Sequence, residues 1–255
     1  MKLTKIAFFI ILLLFLFVAS IIVNGFLQVK LSSMIMLIKD RAFLSALLFG
    51  IETSAFATIL SALFGIPAGF YLARNNSMFS KFMDTFFDIP LSIPPLIVGV
   101  LLLGFFNLKF VERFYSFMFT VQGAVCAQFF IAFPFTVKAS KNAFELIPPI
   151  YERIAMTLGA SNFKSFFDTT FKLAFNGILS GLILTWLRSL GEFGATLMVG
   201  GGIAYKTANI PINIYLNMTE GDFDKGLAAS IIVVSLSFVA VVVVKCLFRK
   251  KGKLF

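Results

Sequence analysis

The sequence predicts an all-α integral membrane protein with six transmembrane helices, and three observations carry that prediction. Of 255 residues, 59% are hydrophobic and only 13% are charged, against about 25% in an average soluble domain. A mean hydropathy of +0.97 and 35 phenylalanines leave too little polar surface to cover a soluble particle. Six apolar windows come close to or exceed the roughly 20 residues that cross a hydrocarbon core of about 30 Å. A water-soluble enzyme is thereby excluded.

The windows are residues 6–27, 43–73, 86–106, 120–137, 173–199 and 227–244. The first follows Lys2 and Lys5 and holds Val18-Ala19-Ser20 late in its run, a pattern that also fits a cleavable signal peptide. Its apolar stretch outruns a usual signal sequence, which favours a retained helix. The second is long enough to tilt or to project beyond the bilayer, and Pro67 near its inner end is a candidate kink. The third opens on Pro90, Pro94 and Pro95. Their missing N–H groups leave carbonyls unpaired, a break tolerated where it faces protein or a cavity. Residues 1–42 then form an N-terminal helix and outer loop, 43–248 a core with an inner loop at 138–172, and 249–255 a basic tail.

Orientation follows from the basic residues. With the N-terminus inside, 14 Lys and Arg fall in inner segments and 7 in outer ones, with Arg188 inside the fifth window. That bias places both termini in the cytoplasm. It also explains the net charge of +10 without nucleic acid. Cys126 and Cys246 lie in apolar runs and histidine is absent, so neither a disulfide framework nor a metal centre is expected, and no cofactor.

Two polar runs invite a chemical reading. Gly200-Gly201-Gly202-Ile203-Ala204-Tyr205-Lys206-Thr207 has the look of a phosphate loop, but Tyr205 stands where a Walker A motif needs glycine, and the run follows a membrane helix. Nucleotide binding is not expected there. The surrounding loop, 200–226, is where irregular outer structure is expected, with an apolar stretch able to dip toward the membrane. The inner loop reads as an amphipathic helix, Tyr151-Glu152-Arg153-Ile154-Ala155-Met156-Thr157-Leu158, stopped by Gly159, with a second short helical stretch after it. Such a helix either docks a cytoplasmic partner or lies on lipid headgroups.

This loop resembles the coupling (EAA) loop of the membrane subunits of ATP-binding cassette (ABC) importers. Ala155 and Gly159 stand at matching positions, followed by Ala160-Ser161. Arg153 and Ile154 replace the usual Glu and Ala, Glu152 comes one place early, and Phe171-Lys172 replaces Leu-Pro. The resemblance extends over roughly residues 43–230. Phe119-Thr120-Val121-Gln122-Gly123-Ala124-Val125, Phe133-Pro134-Phe135, Pro94-Pro95 before Val98-Gly99, and Gly191-Glu192-Phe193-Gly194-Ala195-Thr196-Leu197-Met198 look like the molybdate/tungstate branch. The resemblance implies a type I ABC permease fold, a homodimer of permease subunits, two cytoplasmic ATPase subunits and an outer oxyanion-binding protein. It makes Tyr151, Glu152, Arg153, Ala155, Leu158, Gly159 and Ala160 the expected coupling residues. It makes Pro94, Pro95, Thr185, Arg188, Glu192, Phe193, Gly194 and Thr196 the expected pathway or gate. A sulfate/thiosulfate permease and, more remotely, a membrane-embedded lipid-modifying enzyme are the rival readings. The second would need an acid/base constellation that Glu145, Glu152 and Asp168 do not provide.

Ionisable groups inside a bilayer are costly and usually face protein or water. Arg188 and Glu192, four apart, can pair on one helix face. With Gly181, Thr185 and Thr196 they form a polar stripe that is either a pathway wall or helix-to-helix glue. Ser54, Thr58, Ser61 and Gly65 repeat at helical spacing on the second window. At 1.5 Å per residue, Glu52 sits about 13 Å into that window, so it can join Arg188 and Glu192 in one charge cluster, structural or anion-contacting.

Overall fold

A computed structural model describes residues 2–251. Met1 and residues 252–255, the end of the expected basic tail, lie outside them, as do the side chains of Lys2, Leu3, Ala240 and residues 243–251. Every regular element among the described residues is helical. In chain order they are α1 (Lys2–Gln28), α2 (Leu31–Lys39), α3 (Arg41–Arg74), α4 (Met78–Phe87), α5 (Ile89–Ser92), α6 (Pro95–Phe106), α7 (Lys109–Phe114) and α8 (Val121–Glu145). There follow α9 (Ile150–Thr157), α10 (Asn162–Ser165), a π-helical turn (Phe166–Phe171), α11 (Lys172–Leu190), α12 (Gly194–Gly200), α13 (Ile210–Thr219) and α14 (Phe223–Lys251).

Among the described residues, four stretches are long and apolar enough to cross a membrane: Thr4–Gln28, Arg41–Arg74, Val121–Glu145 and Asn162–Leu190. A fifth span exists if Met78–Ser92 and Pro95–Phe106, bent by 110° at their junction, cross together. The bend falls at Ile93 and Pro94, where consecutive prolines remove the N–H groups a continuous helix would use. The sixth expected window lies inside α14, whose 29 residues carry no charge from Gly226 to Val244.

Two expectations change. The fifth window was expected to run unbroken to residue 199, but helix stops at Leu190 and resumes at Gly194. Glu192 Oε1 there accepts the Ala195 N–H at 3.0 Å, so a side chain takes a donor that a continuous helix would have spent on its backbone. Pro67, the candidate kink, lies inside α3, which runs on to Arg74. The 200–226 segment is partly regular, since α13 occupies ten of its residues.

Residues 45–212 form one compact unit, and the chain on either side of them another. In the first, α8 is the central rod. Antiparallel to it, α11 approaches so closely that a Cβ on Gly181 would lie 2.2 Å from Ala139 Cβ, and one on Gly177 2.7 Å from Ala143 Cβ. On another side α3 brings Gly65 to Thr136 and Gly69 to Ser140. Lipid is as apolar as leucine, so helices in a bilayer gain by close backbone packing over small residues rather than by burying bulk. Apolar clusters of mixed size fill the two ends: Val98, Phe106, Ala127, Ile131, Ala195 and Val199 at one, Ala143, Phe144, Ile147, Ala174 and Ile178 at the other. In the second unit α2 packs on α14, with Lys30 and Asp224 paired at 2.7 Å.

Candidate functional site: the α9 loop and the α11–α12 joint

The loop begins where α3 and α8 end. Arg74, the last residue of α3, donates through Nη1 to the carbonyls of Ile147 at 2.9 Å and Phe144 at 3.3 Å. These are orphan acceptors at a helix C-terminus, where a cation is favoured. Its Nη2 lies 3.5 Å from Glu152 Oε1, the same oxygen that accepts from Thr170 Oγ1. The Glu152 carbonyl accepts from Ser165 Oγ at 2.7 Å. Glu152 is therefore turned inward and ties α9 to α3 and to the π-helical turn; the exposed charge of the pair is Arg153. Below it, Phe70 meets the Phe144 and Phe166 rings edge-on at 5.1 and 4.8 Å.

The outward side of the loop is apolar. Tyr151, Ile154 and Leu158 are exposed, Leu158 at 84%, while Ala155 and Ala160 are half-buried. Gly159 has φ +91° and nothing within 4 Å of where its Cβ would be. A side chain there meets no clash but must adopt a left-handed backbone.

Sequence reasoning missed an ion network beside this loop. Lys138 pairs with Asp84 at 3.0 Å and Asp88 at 2.8 Å, and Lys141 with Asp84 at 2.7 Å. Arg74, Lys81, Asp84, Lys141 and Glu145 line an adjoining polar cavity of about 390 Å³. The signal was present, since Asp84 and Asp88 are four apart and Lys138 and Lys141 three apart, each set one helical turn.

The second region is the joint between α11 and α12. Arg188 and Glu192 pair at 2.6 Å, with Glu192 only 1% exposed. The Glu192 carbonyl accepts from Asn209 Nδ2 at 2.6 Å. Thr185 bonds Thr136 across to α8 at 2.7 Å, which places Gly181 and Thr185 in a helix contact. Gly194 brings α12 onto the start of α6, since its Cβ would lie 2.9 Å from Leu96 N and 3.3 Å from Pro95 C. Gly99 returns the contact one turn on, against Met198 Cβ at 2.7 Å and Ala195 Cα at 2.9 Å. Pro95, Glu192 and Gly194 thus meet at one place, with Thr196 buried two residues further along α12. Phe193 is half-buried beside them, and Pro94 at the bend is exposed. Glu52 is exposed and, among the described residues, forms no ion pair, so the three-charge cluster reduces to Arg188 and Glu192. What remains at the joint is a neutralised pair with amides and hydroxyls around it, able to offer weak polar contacts.

Residues 65–253 match the family model of the binding-protein-dependent transport system inner membrane component. The chain belongs to this family. Among the relatives of this membrane component is the molybdenum transport system permease protein ModB of Escherichia coli, 34% identical over 80% of this chain and 93% of its own length. The molybdate/tungstate transport system permease protein WtpB of Thermococcus kodakarensis is 32% identical over 84% of this chain and 82% of its own. The fold matches a crystal structure of a bacterial ABC transporter involved in import of the acidic polysaccharide alginate, with a TM-score of 0.69, 18% identity, and coverage of 96% of this chain and 92% of that one. It is the helical fold of ABC importer membrane subunits, and the chain is a transport subunit of a membrane.

Proposed function

We propose that this chain is the membrane-spanning subunit of an ATP-driven importer of a tetrahedral oxyanion, molybdate or tungstate. The observation that carries the anion is the kinship with ModB and WtpB across four fifths of the chain, including the 191–198 run that builds the joint. The joint's electrostatics agree with it. A dianion has to pass without being trapped, and a pathway whose single arginine is already neutralised by Glu192 holds anions weakly. Tight selection then belongs to an outer binding protein.

Two copies would pair with two cytoplasmic ATPase subunits, which hydrolyse the ATP. The exposed Tyr151, Ile154 and Leu158 form an apolar ridge suited to a cleft on such a subunit, with Arg153 orienting the approach. Displacement of α9 is passed on by Glu152 and Arg74, which join it to the ends of α3 and α8. The basic asymmetry supports cytoplasmic termini, with this loop inside.

The test is uptake by the complete transporter in vesicles, with its own binding protein. Labelled molybdate or tungstate should enter and each should compete the other, while sulfate in large excess should not. Preferential sulfate uptake would sink the anion assignment and leave the fold intact.

A further inference from the structure

Gln128 is fully buried in α8, and neither its amide nitrogen nor its amide oxygen has a hydrogen-bond partner among the described residues. A primary amide carries two donors and an oxygen with two lone pairs, and leaving these unbonded away from water is costly enough that buried amides are nearly always satisfied. Helix register shows what it faces. Thr136 meets Thr185, and Ala124 lies 3.6 Å from where a Gly200 Cβ would be. Gln128 lies between Thr136 and Ala124 on the same rod, level with the chain between Ser189 and Thr196. Its neighbour Ala127 packs in one cluster with Ala195. The register therefore sets Gln128 level with the interruption at 191–193.

Two further side chains flank that interruption in the same condition. Ser189 Oγ and Thr196 Oγ1 are fully buried and, among the described residues, unbonded. Helix hydroxyls ordinarily bond back to the carbonyl one turn earlier, as Thr185 does to Gly181 at 2.9 Å.

We propose that Gln128 is a positioning residue of the transport cycle: its amide, idle in this arrangement, bonds the backbone of the 191–193 joint in the alternate one, and so biases the equilibrium between them. This rests on the importer reading above. A transporter must visit at least two arrangements of its pathway helices. When α12 swings about the joint, N–H and C=O groups of the interrupted helix are freed, and a long side chain with both donor and acceptor can take them up. The unbonded amide makes the present arrangement less stable than its packing alone would allow. Replacing it by an apolar side chain of similar length removes that handicap here and the compensating bonds there.

The experiment compares wild type with Gln128→Met in the complete complex with its ATPase subunits. It reads the melting temperature without nucleotide, and kcat and KM for ATP in anion-stimulated hydrolysis. Gln128→Met should melt higher and lower stimulated kcat roughly 5- to 30-fold with KM for ATP unchanged, and Gln128→Asn should restore much of the turnover. A lower melting temperature for Gln128→Met would mean that the amide is bonded in this arrangement and would overturn the proposal. Higher melting with undiminished turnover would overturn it too, because the bias would then have no part in the cycle. Gln128→Leu gives the same comparison if the Met variant does not assemble. Absence of anion-stimulated hydrolysis in wild type would fail the importer reading instead, and the melting comparison would still decide whether the amide is idle here.

Discussion

At Gly194 a missing Cβ lets one backbone touch another. Any side chain would meet Leu96 N at 2.9 Å and its Cα at 3.2 Å, atoms that cannot rotate away. Gly194→Val should therefore destabilise the subunit by about 1–3 kcal/mol through overpacking and depress uptake. Gly104→Ala, on the same α6 but with nothing within 4 Å, should stay within about 0.5 kcal/mol. Thermal unfolding and vesicle uptake at matched protein levels check both, and equal losses would mean that α6 resists any change rather than guarding a close approach. The i,i+4 spacing of Arg188 and Glu192 made their pairing legible in the sequence. That Glu192 also caps α12 was not, because a break inside an apolar run leaves no trace in hydropathy. Gln128 was invisible for a related reason: one amide in an apolar window has no periodic partner to announce it.

At the scale of elements, α9 depends on what anchors it. Arg74 serves the carbonyls of Phe144 and Ile147 and the Glu152 carboxylate together. Charge-assisted bonds of this kind contribute about 1.5–3 kcal/mol each, less where water reaches them. Arg74→Met should loosen the loop, leaving the spans inserted but ATP hydrolysis no longer stimulated by anion-loaded binding protein. Full stimulation in that variant would show that α9 is held by its aromatic base alone. Gly159→Asp acts differently, adding left-handed strain of about 1–2 kcal/mol at the tip of the loop. Blue-native gels should show the ATPase subunits lost or, if retained, unresponsive, and an intact, fully stimulated complex would remove this loop from the coupling route. Amphipathic periodicity was enough to place α9 and its glycine stop. It could not turn Glu152 inward, since a polar position on a helical wheel reads alike whether it meets water or an arginine 78 residues away in sequence.

For the whole molecule, the basic asymmetry makes a prediction that owes nothing to packing. With Cys126 and Cys246 replaced by serine, an impermeant thiol reagent added outside intact cells should label a cysteine at Thr219 and miss one at Asn162. The reverse pattern would invert the topology and take α9 away from the ATPase. The spans were legible where a helix is continuous, because length and apolarity are then the whole requirement. They were only partly legible at the third and fifth, where helix breaks answer to prolines and to a capping carboxylate rather than to the bilayer.

The interlock of α8 with α11 has a mechanical consequence. With Gly177 and Gly181 seated against Ala143 and Ala139, neither helix can bend away without parting backbones, so the two respond to load as a single stiff beam. A rod of 25 residues is about 37 Å long. Pivoted near its middle, such a beam is a seesaw: a tilt of about 5° moves its ends by about 1.6 Å in opposite directions. A push on α9 at one end then arrives near Gly200 at the other as a displacement of about a methyl group's radius, delivered without any side chain along the way changing rotamer.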